Sequence, residues 1–135
     1  MKSARRRSRE FALQALYAWQ IAHSPVAEIV AQMEETRDFD KADRVYFLTL
    51  LAGAVNEAAE LELLIAPALD RRIEELSPVE RGILMLAAHE LRNCPEVPYK
   101  VVINEAVELA KSFGGTDGYK YVNGVLDKLA KSLRP

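Results

Sequence analysis

Ser77-Pro78-Val79-Glu80-Arg81-Gly82-Ile83-Leu84-Met85-Leu86-Ala87-Ala88-His89-Glu90-Leu91 holds both a helix start and the face that the helix buries. Serine is a preferred N-cap, proline suits the first helical position, and a glutamate three residues after the cap reaches back to the cap's free N–H. Ile83, Leu84, Ala87 and Leu91 then recur at helical spacing. Outward from this run the same period governs the chain. Ala12, Ala15, Leu16 and Trp19 share a stripe, which predicts a helix over residues 3–22. Ser24 and Pro25 read as a cap and first helical residue opening a helix to about residue 35. Phe39 and Asp40 fall in a connector. A helix follows over about 41–56, with Phe47, Leu50, Leu51 and Val55 inward. Leu61, Leu64, Ile65 and Leu69 continue the pattern, and Pro67 forces a start, kink or break.

Beyond Leu91, the stretch Asn93-Cys94-Pro95-Glu96-Val97-Pro98 is a connector. The next helix spans Tyr99 to Phe113, with Ile103, Ala106, Val107, Ala110 and Phe113 on one face and Gly114-Gly115 at its end. Val122, Val125, Leu126, Leu129 and Leu133 mark a last helix. Two stretches compete as strands: β-branched Val101-Val102-Ile103 and the hairpin dipeptide Asn123-Gly124. Both lie inside 3.6-period windows, so the helical reading prevails. Gly124 within a helix costs about 1 kcal/mol against alanine, which close packing of another helix would explain. The expected architecture is all-α, with about seven helices.

A chain of 135 residues, half of them apolar, fits one domain over 1–135, with an N-terminal half of about 1–75 and a C-terminal half of about 76–135 sharing a core. Cys94 is the only cysteine, so no internal disulfide forms, and a reducing cytoplasm fits best. It reads as a small packed hydrophobe. The basic start resembles a targeting segment, but Glu10, Gln14 and Gln20 interrupt the apolar run, which reads as part of the mature fold. No run has the length to span a bilayer, so no membrane partner is expected.

The charge is divided unevenly. Lys2, Arg5, Arg6, Arg7 and Arg9 precede Glu10, the first of the 20 acidic residues in the chain. A basic arm on an acidic body points to a localised anion, above all nucleic acid. Arginine's planar fork binds phosphate bidentately. These charges also run into a helix N-terminus, where they oppose the macrodipole, and a bound anion would compensate.

Little else suggests chemistry. His23 and His89 stand in different helices without a metal-ligand pattern. No phosphate loop, nucleophile elbow or dinucleotide fingerprint is present. Glu105 and Glu108 read as a solvated face. The expectation is therefore a protein that is not an enzyme and takes no cofactor or metal. Around Asp117-Gly118-Tyr119-Lys120-Tyr121 two readings stay open: a stacking platform for bases, or Tyr121 in the core beside a capping Asp117 and a solvated Lys120. Asn104 and Asn123, near apolar stripes, read as structural hydrogen bonders.

Several blocks together resemble the NusB family of bacterial transcription antitermination factors. They are Arg5-Arg6-Arg7-Ser8-Arg9-Glu10 with Ala12 through Gln20, Glu75-Leu76-Ser77-Pro78-Val79-Glu80-Arg81, Val97-Pro98-Tyr99-Lys100-Val101-Val102-Ile103-Asn104-Glu105-Ala106, and Phe113-Gly114 with Tyr121-Val122-Asn123-Gly124-Val125-Leu126-Asp127-Lys128. They follow family order over nearly the whole chain. The resemblance implies two perpendicular three-helix bundles sharing a core. It implies binding of single-stranded boxA leader RNA together with NusE, a small-subunit ribosomal protein. It further implies membership of an antitermination complex on RNA polymerase that serves ribosomal RNA operons. By the same resemblance Arg5, Arg6, Arg7 and Arg9 hold phosphates, with Lys2 in the same arm. Lys120 and Tyr121 lie beside the RNA with Asp117 close by, and Glu80, Arg81 and Leu84 face NusE. Tyr119 stands where histidine is common and Tyr121 where phenylalanine is common. Ala68 replaces an aromatic of some members. The competing reading is a NusB-like protein-interaction domain without sequence-specific RNA binding. No cofactor-binding catalytic domain is present through Pro135, so methyl transfer, known from fused modules, is not expected. A helix-turn-helix reading lacks its turn and basic recognition helix.

Overall fold

Among the described residues, 2–135, the computed structural model contains seven α-helices and no strand. They are α1 (Ala4–Ala22), α2 (Val26–Glu34), α3 (Arg44–Asn56), α4 (Ala58–Ile65), α5 (Pro78–Asn93), α6 (Tyr99–Phe113) and α7 (Gly118–Leu133). Short 3-10 turns at Phe39–Lys41, Ala66–Ala68 and Ile73–Glu75 fill the connectors.

Helix α5 is the axis of the packing. Every residue from Gly82 to Leu91 is buried, and α1, α3, α4, α6 and α7 all pack on it. A helix enclosed on all sides needs apolar residues around its circumference, and Ile83, Leu84, Met85 and Leu86 supply them. Each such side chain contributes about 1.5–3 kcal/mol by leaving water. Its start forms the expected capping box: Glu80 N donates to Ser77 Oγ at 3.1 Å, and the Glu80 carboxylate accepts from Ser77 N at 3.5 Å. Its end is closed by a residue far away in sequence. The Arg134 guanidinium donates to the carbonyls of Leu91 (2.8 Å), Cys94 (2.9 Å), Val97 (2.8 Å) and Glu90 (3.2 Å). Around this axis α1 packs on α2 and α3, while α6 and α7 pack on each other. One apolar cluster draws on all seven helices, and Cys94 is buried within it.

Several expected details shift. Helix α2 starts at Val26, not Pro25: the extended Pro25 offers its carbonyl to Glu28 N (3.0 Å) and Ile29 N (3.2 Å), and Ser24 makes no cap. Helix α3 starts at Arg44, because the Asp43 carboxylate accepts from Tyr46 N at 3.0 Å and residues 39–41 close a separate 3-10 turn. Asn104 and Asn123 stand exposed on α6 and α7, so neither is the structural hydrogen bonder expected. Gly114 does end α6, but through crowding, not a left-handed turn. A Cβ there would lie 2.7 Å from Ala110 O, while its φ of −92° is open to any residue.

The two glycines inside helices behave oppositely. A Cβ on Gly53 would sit 2.1 Å from His89 Cε1, whereas one on Gly124 meets nothing within 4 Å. Close packing therefore explains Gly53 and not Gly124. Helix propensity alone favours alanine at both by about 1 kcal/mol, but overpacking at Gly53 costs about 1–3 kcal/mol. Urea unfolding is expected to give a destabilised Gly53→Ala protein and a Gly124→Ala protein stabilised by about 1 kcal/mol.

Candidate nucleic-acid interface

The basic arm is ordered helix. Ser3 Oγ accepts from Arg6 N at 3.1 Å and caps α1, so Arg5, Arg6, Arg7 and Arg9 project from one rigid element. Ser8 fastens that element to α3: its hydroxyl donates to Asp43 O at 2.7 Å and accepts from Asp43 N at 2.9 Å.

The five cations then part company. Arg9 points inward and is 5% exposed. Its Nε and Nη2 donate to the two Glu90 oxygens at 2.8 Å each, and Tyr46 Oη donates to Glu90 at 2.6 Å. Burial alone would lower the proton affinity of Arg9, but the hydrogen bond to Glu90 and that carboxylate's charge outweigh it, so its pKa lies above the usual value. Burial, with the bond to Glu90, drives the Tyr46 phenol far above its ordinary range. The expectation that Arg9 holds a phosphate is corrected here: its donors are committed inside the protein, and freeing them would strand Glu90 without its counter-charge. Arg6 donates to both Glu105 oxygens at 3.1 and 2.6 Å. Lys2 pairs with Glu10 at 2.9 Å. Arg5 is exposed and lies over the Tyr46 ring, 4.2 Å from its centroid. Arg7 is half-buried and has no ion pair among the described residues. Arg5 and Arg7 are thus the arm's least committed cations.

The second cluster sits at the start of α7. Asp117 occupies the cap position without a side-chain cap bond and pairs with Lys120 at 3.5 Å, both exposed. Tyr121 is half-buried, and burial raises its phenol. Arg71 lies over the Tyr121 ring at 4.2 Å and is anchored by Asp70 at 2.7 Å, which holds the Asp70 carboxyl below its usual range. Tyr121 is therefore neither a plain core residue nor a bare platform, since a guanidinium covers one face. A shallow groove lined by Ala68, Asp70, Lys120, Tyr121, Gly124 and Lys128 runs beside it. Gly124 and Ala68 leave that groove open.

The predicted partner-facing residues divide as well. Glu80 is half-buried, tied into the α5 cap, and its carboxylate lies close to Gly118 at the start of α7. Arg81 pairs with Glu62. Leu84 is fully buried, so it is core and is withdrawn from the surface set. Sequence reasoning missed the adjacent apolar groove of about 370 Å³ lined by Leu13, Gln14, Tyr17, Met33, Val79 and Phe113. Tyr17 and Phe113 stay 44% and 39% exposed. The signal for Tyr17 was present, because it lies off the stripe of Ala12, Ala15, Leu16 and Trp19. Among the described residues no group of three or more metal-ligating side chains is gathered, and no helix is long and apolar enough to cross a membrane.

Comparison with known proteins agrees with this architecture. Residues 6–131 match the model of the NusB family. The transcription antitermination protein NusB of Paraburkholderia phytofirmans is 60% identical over 99% of this chain and 93% of its own length. That of Thiobacillus denitrificans is 54% identical over 99% and 92%. Among solved structures, NusB of T. maritima superposes with a TM-score of 0.88 at 29% identity, covering 100% of this chain and 96% of that one. A crystal structure of antitermination factors NusB and NusE in complex with double-stranded RNA superposes with a TM-score of 0.82 at 26% identity, covering 94% and 96%.

The geometry separates a buried, paired arginine from a half-buried one with no ion pair among the described residues. Removing one partner of a buried pair costs about 3–5 kcal/mol, whereas a surface substitution stays within about 0.5 kcal/mol. Arg9→Ala is expected to lower the unfolding free energy by the larger amount and Arg7→Ala by the smaller, as read by urea denaturation followed by circular dichroism.

Proposed function

The chain belongs to the NusB family of transcription antitermination proteins, and on that premise we propose that it binds boxA leader RNA jointly with NusE. In this reading the pair joins an antitermination complex on RNA polymerase and sustains transcription of ribosomal RNA operons. The observation that carries the RNA half is the ordered first helix, whose first two turns hold Arg5 and Arg7 without internal carboxylate partners. Arg6 and Lys2 add to these cations once they leave Glu105 and Glu10. Lys120, Asp117 and the Arg71–Tyr121 stack form the second contact, where an unpaired base can lie on a planar cation or ring.

For NusE, the apolar groove with half-exposed Tyr17 and Phe113 offers the aromatic anchors of a protein-facing patch, and Glu80 and Arg81 follow its Val79 in the first turn of α5. The relative solved with NusE and RNA supports both halves. Phosphate contacts are indifferent to strandedness, whereas the stacking groups favour unpaired bases. The pairing of Lys2, Arg6 and Arg9 with carboxylates favours a second reading, a NusB-like protein-interaction domain without sequence-specific RNA binding.

Anisotropy of a labelled boxA oligonucleotide and of a scrambled one, with and without NusE across a salt series, separates the two readings. Tighter binding of boxA with NusE present supports the first, and equal affinities support the second. Arg5→Ala with Arg7→Ala is expected to flatten the log–log salt slope by about 1.4, at about 0.7 per lost single-strand contact. Phe113→Ala is expected to weaken NusE binding by about 1 kcal/mol with the helical spectrum retained.

A further inference from the structure

Beneath the arm lies a groove of about 200 Å³ between α1 and α6, lined by the cations Lys2, Arg6 and Arg9 and the carboxylates Glu10, Glu105 and Glu108. Glu105 is the best placed of these acids. Its two oxygens accept from Arg6 Nε and Nη2 at 3.1 and 2.6 Å, the fork geometry in which a guanidinium holds phosphate. Arg9 Nη1 lies 3.5 Å from the same carboxylate, which is 13% exposed and therefore held in place. The Arg6 side chain is 40% exposed, so it reaches solvent while its donors are occupied. Glu108 lines the groove but makes no hydrogen bond to Arg6 among the described contacts. An arriving phosphate gains from Arg6 only the difference between itself and Glu105.

We propose that Glu105 is an internal competitor for the RNA phosphate that Arg6 would otherwise hold, and that it sets the arm's affinity for RNA. The inference rests on the RNA-binding reading above. Its consequence is a uniform penalty. Every RNA, whatever its sequence, must displace the carboxylate. Contacts made by the arm alone are then too weak to retain RNA indiscriminately, and binding persists only where base contacts and the protein partner add to them. Arg6 acts as the affected ligand, and Glu105 acts through it.

The test compares the wild type with E105Q, E108Q, R6A and the R6A/E105Q pair. The probes are boxA-containing single-stranded RNA and a scrambled oligonucleotide of the same length, with NusE present, over a salt series. E105Q keeps the side chain's shape and removes its charge. It is expected to tighten both RNAs by about two- to fivefold, the strength of a partly exposed ion pair. E108Q, whose charge acts on Arg6 only through space, is expected to tighten either RNA less than E105Q does, and E105Q is expected to have no effect in the R6A background. Should E105Q fail to fold, Glu105→Asp keeps the charge but shortens its reach, and a smaller tightening is expected of it. A folded E105Q that binds no better than the wild type overturns the proposal, as does an equal gain in the R6A background. A wild type that binds neither RNA defeats the RNA-binding reading as well. A wild type that binds while E105Q gains nothing defeats this inference alone.

Discussion

A guanidinium buried against a carboxylate decides how the first helix sits. Arg9 and Glu90 are both nearly inaccessible, joined by two 2.8 Å bonds, and Glu90 takes a third from Tyr46. Two charges leave water only when geometry and further hydrogen bonds compensate, and here the compensation comes from three helices, α1, α3 and α5. The azimuth of α1 follows. With Arg9 turned inward, Arg5 one turn earlier falls over Tyr46, Arg6 falls against α6, and Arg7 is left without a carboxylate. One buried pair thus sorts a run of like charges into an anchor, a restrained cation and free ones.

That sorting changes what a basic arm does. A flexible arm would bind any polyanion through every charge it carries. A helical arm whose charges are largely balanced from within offers few contacts in fixed positions. Two other surfaces stand apart from it: the Arg71–Tyr121 stack with its open groove, and an apolar groove with exposed aromatic residues.

The helices were legible because their signals are local. Ser77, Pro78 and Glu80 form the cap that their spacing implies, and α6 ends where Gly114 stands. The basic arm stood out by its charge, while the residues around Lys120 and Tyr121 left a stacking platform and a core tyrosine equally open. What stayed hidden depends on contacts between residues distant in sequence. Nothing near Arg9 announces Glu90, 81 positions on, and nothing near Tyr121 announces Arg71. Leu84 was misassigned because a helix buried on every side has no outer face, a property of the helices around it and not of its own pattern. Gly53 and Gly124 read alike in sequence; only the packing of His89 separates them.

Arg9 belongs to the fold, and on the proposed function Arg5 and Arg7 are the arginines that meet the ligand. Side-chain Nε–H signals of ¹⁵N-labelled protein, followed with NusE bound while boxA RNA is added, report on each arginine separately. The Arg5 and Arg7 signals are expected to move as RNA binds, and the Arg9 signal to keep its position throughout. An Arg9 signal that moves with the same midpoint, while Arg5 and Arg7 stay still, would contradict this assignment.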